Sequence, residues 1–524
     1  MRSGNPLRKA IFVFIVAMAA ITGFDQLKAE AKVVRTLEGW TRVIPSPDSR
    51  IIYVSSSQGN DANPGFSPEQ PKKTILAGKA LMRNGFPDHL LLKRGDVWSN
   101  ESIGNIMYPG RSPDEPALIG TYGVGPRPLL KTGDQTGIRI QGGGASNPIN
   151  RSNIIIMGLH LKSQTKDYTS REYTNSSAQN TGILFLAPSA LDSVKISDII
   201  VEDVKVEFYS VCITIQGAKN TPFKNVTVRR SIFNNCYSRT SHSQGLYANF
   251  MRKLLIEENV FYHNGWGRSR DGGREKGGAT IFNHNMYING HTANVVVSRN
   301  FIADASSHGI QMRAGGKIQD NLFVRNPINI LIAGQNNKDK RSKIENNIIL
   351  EPTDISTDLP RGMGLDVVDT QGAQIVGNVV AHDHLSSPIN TYAIKLIGRS
   401  PSASRRNLVV NNIFFDIRRG FVQEVGDTDK NNISGNLYWC DENIEGCDKE
   451  LNIIINEKSF YDPIRDLGSY DKYLGGIGTY ESFVRRLISR PIGTWPEVLS
   501  TLAINSYIRE GFSFADSVLV KGPH

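Results

Sequence analysis

Cysteine is scarce in this 524-residue chain. Cys212, Cys236, Cys440 and Cys447 stand at spacings that fit no zinc site. Long apolar runs are missing too. The longest, "AIFVFIVAMAAITGF" at 10–24, is too short to favour a membrane span, and no other stretch approaches that length. With Arg2, Arg8 and Lys9 before it and Ala29-Glu30-Ala31 after it, this run reads as an export signal cleaved after Ala31. Acidic charge is short as well: the formal net charge is +10, and cleavage removes four basic and two acidic residues to leave +8. A basic exported protein is not expected to serve nucleic acid, and an anionic polymer such as a polyuronate is its natural partner. The expected location is secreted or periplasmic, with no stable membrane span after cleavage. Export permits disulfides. Cys440 and Cys447 bracket the turn-forming "DENIEG" and could form a local clip, and Cys212 could pair with Cys236; sequence alone leaves both open.

What is present is a recurring phrase. "VEDVKV" (201–206), "VRRSIF" (228–233), "IEENVF" (256–261), "VSRNFI" (297–302), "IQDNLF" (318–323), "IENNII" (344–349), "IVGNVV" (375–380), "VVNNIF" (409–414) and "ISGNLY" (433–438) share one pattern. An apolar residue is followed by two mostly polar ones, then usually Asn, then an apolar pair. The Asn positions are Asn259, Asn300, Asn321, Asn347, Asn378, Asn412 and Asn436. The shortest intervals, 21 to 26 residues, suggest one repeat unit, and the longer ones the same unit with inserted loops. No leucine frame supports a leucine-rich repeat. Short β-branched strands between tight bends, without helical period, describe an all-β parallel β-helix solenoid. Asn suits the bend because it tolerates left-handed backbone, and stacked coils would set Asn over Asn.

At this point the chain resembles the secreted, right-handed, pectin-lyase-like parallel β-helix family of polysaccharide-processing proteins. The resemblance rests on the repeats, on "YVSSSQGNDANPGFSPEQPKKTILAG" (53–78), on "LLLKRGDVW" (90–98) and on "PALIGTYGVGPRPLL" (116–130). It covers roughly residues 50–450 and implies the fold more firmly than the reaction, since this scaffold carries lyases, hydrolases, epimerases and adhesins. The expected organisation is a signal peptide over 1–31, an N-terminal segment and cap over 32–130, the β-helix over 131–452, and a C-terminal helical cap or arm over 453–524. "PKKTILAGKALMRNG" (71–85) predicts the short capping helix that covers the first coil's open edges. "YESFVRRLISR" (480–490) and "WPEVLSTLAINSYIREGF" (495–512) predict amphipathic helices.

The polar residues concentrate around 242–313. Strand alternation buries Leu246 and Ala248, Met286 and Ile288, and Ile310 and Met312. Tyr247, Tyr287 and Gln311 then form one outward row, and Asn249, Asn289 and Arg313 the next. Asn285 also faces outward on this reading. His284 lies over His308, with His242 near the same edge. The glycine-rich "GWGRSRDGGREKGG" (265–278) brings Lys276 to the wall of a groove. "HDH" (382–384) has two histidines without a third ligand and reads as a polar loop.

A polyuronate lyase neutralises the substrate carboxylate, removes the adjacent proton and protonates the departing oxygen. The candidate catalytic residues are Lys276, His284, Tyr287, His308 and Arg313. The candidate substrate-binding residues are His242, Tyr247, Asn249, Asn285, Asn289 and Gln311. Arg313 with Asn285 or Gln311 would hold the carboxylate, His284 or Lys276 would act as base, Tyr287 as acid, and His308 would position. The expected function is β-elimination on an acidic polysaccharide. A hydrolase, a C5-epimerase and a non-catalytic scaffold in exopolysaccharide export are the alternatives. Hydrolysis calls for two facing carboxylates, which the strands of 283–313 do not offer. The Asp-Pro-His-Asp sequence of the family's alginate epimerases is absent. The family resemblance leaves calcium open as a cofactor, but no dense carboxylate cluster accompanies the site, so side-chain neutralisation is expected and no metal site is assigned. Nothing in the sequence sets the oligomeric state.

Overall fold

The computed structural model describes residues 33–513, apart from 142–149, 188–195, 268–281, 335–340, 354–360, 383–391, 400–402, 418–419, 440–452 and 456–459. The signal segment, Lys276 and the Cys440–Cys447 pair lie outside the described residues. Three long sheets run the length of the solenoid, with thirteen, thirteen and eleven strands among the described residues. For most of the stack each strand pairs in parallel with the strand three elements later, so one coil contributes one strand to each sheet. This is the parallel β-helix that the repeats predict. Alternate residues point inward, and a continuous core runs from Ile52 to Tyr438.

The Asn phrase marks the corner between the first two sheets, but its physical basis differs from the one expected. The residue before each Asn takes the left-handed backbone: Glu258, Arg299, Asp320, Asn346 and Asn411 have φ of 55 to 56°, and Gly377 and Gly435 have φ of 65°. The Asn that follows is buried and bonded. Asn300 Nδ2 donates to Asn321 Oδ1 at 2.9 Å, and Asn321 Nδ2 donates to Asn347 Oδ1 at 3.0 Å. The ladder continues through Asn378 and Asn412 to Asn436. Each oxygen also accepts the backbone N–H of the Asn one coil earlier, as Asn321 Oδ1 does from Asn300 N at 2.9 Å. Asn is therefore chosen for an amide that satisfies a buried corner, not for its own φ.

The first coil is covered by α1 (Ile75–Lys79), shorter than the sequence suggested and capped by Thr74, whose hydroxyl accepts from Ala77 N. It lies close over the core: a Cβ on Gly78 would meet Val54 Cγ2 at 2.4 Å. After the stack, α2 (Leu467–Tyr473), α3 (Tyr480–Ile488) and α4 (Thr501–Gly511) pack onto the outer face of the second sheet. Phe483, Leu487, Ile504 and Ile508 bury against Phe301, Leu322, Ile348 and Phe415. His382 is buried and packs on Phe415 and Phe512 rather than lying in an open polar loop. Cys212 and Cys236 form a disulfide inside the stack. The arm occupies the second sheet, so the outer face of the third sheet carries the polar cluster.

Candidate functional site

The third sheet sets the predicted residues in register. The strands Gln244–Asn249, His284–Ile288 and His308–Met312 pair in parallel. Tyr247 stands opposite Tyr287, Tyr287 opposite Gln311, and His284 opposite His308. The outward row is therefore the predicted one, and it extends to Leu184 and Thr214 before Tyr247 and to Leu331, Asp366 and Lys395 after Gln311. The Tyr247 and Tyr287 rings meet edge-on at 5.5 Å. Burial raises the pKa of the Tyr247 hydroxyl, with the Tyr287 hydroxyl adding to the shift.

A polar chain runs inward from the surface. Arg313 is exposed. The Gln311 amide is assigned so that its oxygen accepts from Arg313 Nε and Nη2, both at 3.0 Å, and its nitrogen donates to His284 Nε2 at 3.1 Å. An arginine can only donate, so this orientation pairs both ends of the amide. His284 Nε2 is then an acceptor, and its proton sits on Nδ1, which donates to His308 Nδ1 at 3.0 Å. Ser307 Oγ lies 2.9 Å from the same His308 nitrogen. Burial lowers the pKa of His284 to about 3, helped by His242 and Arg313. Burial likewise holds His308 well below its usual range, with His284 next in effect. Both imidazoles are neutral and committed to neighbours. His284, 3% exposed with both nitrogens engaged, positions Gln311 and does not present a free nitrogen to a substrate.

Asn285 is a correction. It faces the interior with no exposure. Its Oδ1 accepts from Asn264 Nδ2 at 2.9 Å, and its Nδ2 donates to Ala303 O at 2.9 Å and to Asn326 Oδ1 at 3.3 Å. Gly245 and Gly309 lie above and below it, where a Cβ would come within 2.6 Å of a neighbouring backbone oxygen. This second Asn ladder fills the corner before the third sheet, and strand alternation alone does not reveal it. Asn249 is also largely buried, with its oxygen accepting from Phe250 N at 3.0 Å.

The edges of the face are aromatic. Exposed His242 stacks on Phe282 at 5.1 Å, and His291 stacks on Phe250 at 4.3 Å. His291 Nδ1 also lies 3.1 Å from Asn289 Oδ1, which leads back towards the Tyr287 hydroxyl. Phe282, Asp366 and Lys395 were not singled out from sequence, and His291 stood in the polar stretch 272–291 without an assigned role. The spacing could have found the first aromatic pair: 242 and 282 share the 40-residue offset of 247 and 287. A lone acid in the apolar "MGLDVV" (363–368) was the signal for Asp366. Among the described residues no three His, Cys, Asp or Glu side chains gather as a metal-sized group.

No family model and no curated protein matches the chain. Solved structures match it in the path of the backbone. XylC in complex with xylose is 11% identical over 79% of this chain and 87% of that one, with a TM-score of 0.49. A mutant tailspike protein of E. coli bacteriophage HK620 in complex with a pentasaccharide is 14% identical over 81% and 70%, with a TM-score of 0.47. Pectate lyase Pel9A is 14% identical over 80% and 85%, with a TM-score of 0.45. The class is the parallel β-helix, defined by the three stacked sheets of the chain itself.

Proposed function

We propose that the outer face of the third sheet binds an acidic polysaccharide and cleaves it by β-elimination. The observation that carries this reading is the exposed Arg313 guanidinium, held by Gln311 beside Tyr287 on the outward row. Arg313 pairs with the substrate carboxylate and stabilises the charge that grows on it as the neighbouring proton leaves. Gln311 and His284 fix the guanidinium. A base accepts that proton, the bond to the departing glycosidic oxygen breaks, and the Tyr287 hydroxyl protonates that oxygen. With both His284 nitrogens occupied, the base role falls to Lys276, which the sequence alone suggests. The aromatic edges suit stacking on sugar rings. The disulfide fits an exported protein, and the basic net charge fits an anionic polymer.

Hydrolysis is the weaker reading, because Asp366 is the sole carboxylate on the described outward row. The test is incubation with a panel of acidic polysaccharides while following the ultraviolet absorbance of the unsaturated product. Absorbance that grows with time is expected. New reducing ends without absorbance would replace elimination by hydrolysis, and binding with neither signal would leave a scaffold.

A further inference from the structure

Past Gln311 the outward row changes character twice. The next strand, Ile328–Ala333, is apolar on its outer side. Leu331 takes the row, and Ile328, Leu331, Ala333, Met363 and Val368 form a cluster separate from the interior core. One rung further the row becomes charged again: Asp366 stands opposite Leu331, and Lys395 opposite Asp366.

Asp366 is 7% exposed, and its Oδ1 has no hydrogen-bond partner among the described residues. Leaving a buried polar atom unpaired costs about 1–3 kcal/mol, so an orphan oxygen on a ligand-facing row points to a partner that arrives with the ligand. Burial raises its pKa to about 6, opposed by the fields of Lys395, Arg361 and Arg399. Lys395, on the next rung of the same row, sets a cation beside this carboxyl. Leu331, on the other side, offers none.

Neighbouring strands lie about 4.8 Å apart, so Gln311 and Asp366 are separated by about 10 Å along the axis. One rung is close to the advance of one pyranose residue, and two rungs to that of a disaccharide. We infer that the substrate is a polymer in which a uronate alternates with an uncharged sugar. One uronate binds at Arg313, the next on the Asp366 rung with a hydroxyl on Asp366 Oδ1 and its carboxylate reaching to Lys395 one rung beyond, and the uncharged residue between them lies over Leu331. A homopolymer of uronate would set a carboxylate on the Leu331 cluster, where its lost hydration has no replacement. This inference rests on the reading of the face as an acidic-polysaccharide site.

The test compares homopolymers, polygalacturonate and polymannuronate, with alternating polymers, unsulfated chondroitin and hyaluronate, by turnover and by calorimetric binding. The alternating polymers should have a kcat/KM or affinity at least about tenfold better. Lys395→Ala and Asp366→Asn should each raise KM for the alternating polymer severalfold with little change in kcat, and Leu331→Lys should shift preference towards the homopolymers. Homopolymers bound or cleaved as well as alternating ones would overturn the inference while leaving elimination intact. Unchanged KM in both the Lys395 and Asp366 variants would also overturn it. Tight binding of alternating polymers without an unsaturated product would uphold the inference and remove the elimination reading. Binding of neither class would end both.

Discussion

Arg313 and His284 share one amide: Gln311 accepts two bonds from the guanidinium at 3.0 Å and donates one to His284 Nε2 at 3.1 Å. An exposed cation is thereby tied to a buried pair of neutral imidazoles, which sets the guanidinium's direction before any ligand arrives. Preorganisation of this kind lowers the ordering cost of binding.

Removing the cation should remove most of the activity. Arg313→Ala is expected to lower kcat/KM by about ten- to a hundredfold, the range for a charge-assisted hydrogen bond, and Arg313→Lys should restore part of it. Gln311→Leu should cost less, since it frees the guanidinium without deleting it. Full turnover by Arg313→Ala, measured by product absorbance, would exclude the proposed role.

The pH profile should lack an inflection from His284 or His308. His284 titrates near 3 and His308 well below its usual range, so neither changes charge in the range where an imidazole normally does. Both must take up protons on unfolding at mildly acid pH. Their stabilising contribution is thus present above the ordinary value of 6.5 and is lost as pH falls below it. Proton NMR of the imidazole resonances checks the first statement, and denaturation midpoints at stepped pH check the second.

Asp366 should behave in the opposite sense. Its carboxyl is favoured in the neutral form, with a pKa of about 6 against 3.8 for the free side chain. The folded state holds the proton more tightly, so stability declines as pH rises from 3.8 through about 6. Asp366→Asn should remove this decline and gain on the order of 1–3 kcal/mol at neutral pH. Equal stability of variant and parent at pH 5 and pH 8 would refute the assignment.

The Asn ladders should matter for stability rather than for binding. Asn321→Ala orphans Asn300 N–H and the Val297 carbonyl, and should cost about 2 kcal/mol or more. Asn285→Ala should do likewise, with KM unchanged in whatever fraction stays folded. A raised KM at unchanged stability would return Asn285 to the binding face.

The Cys212–Cys236 bridge closes 24 residues and is buried. Replacing both cysteines by alanine should cost about 2–4 kcal/mol, read from chemical denaturation. The bridge in the folded protein should resist mild reductant, because neither sulfur reaches solvent.

The order of residues was enough to specify the solenoid, the Asn-marked corner and the outward row Tyr247–Tyr287–Gln311. These depend on period-two alternation and on a repeat length, and both are local properties of the chain. It was also enough to set His284 over His308, because coils in register stack equivalent positions. Alternation counts positions on a strand, however, and not what closes over its ends. Hence Asn285 read as outward, although the Gly245–Asn285–Gly309 stack turns it into the corner ladder. Only the tertiary structure decided that His284 supports Gln311, that Cys212 joins Cys236, and that Asp366 lies two rungs from Gln311. Those relations join residues 24 to 55 positions apart through loops of unequal length, so no fixed period encodes them; the sheet register that brings them together exists only once the coils have stacked.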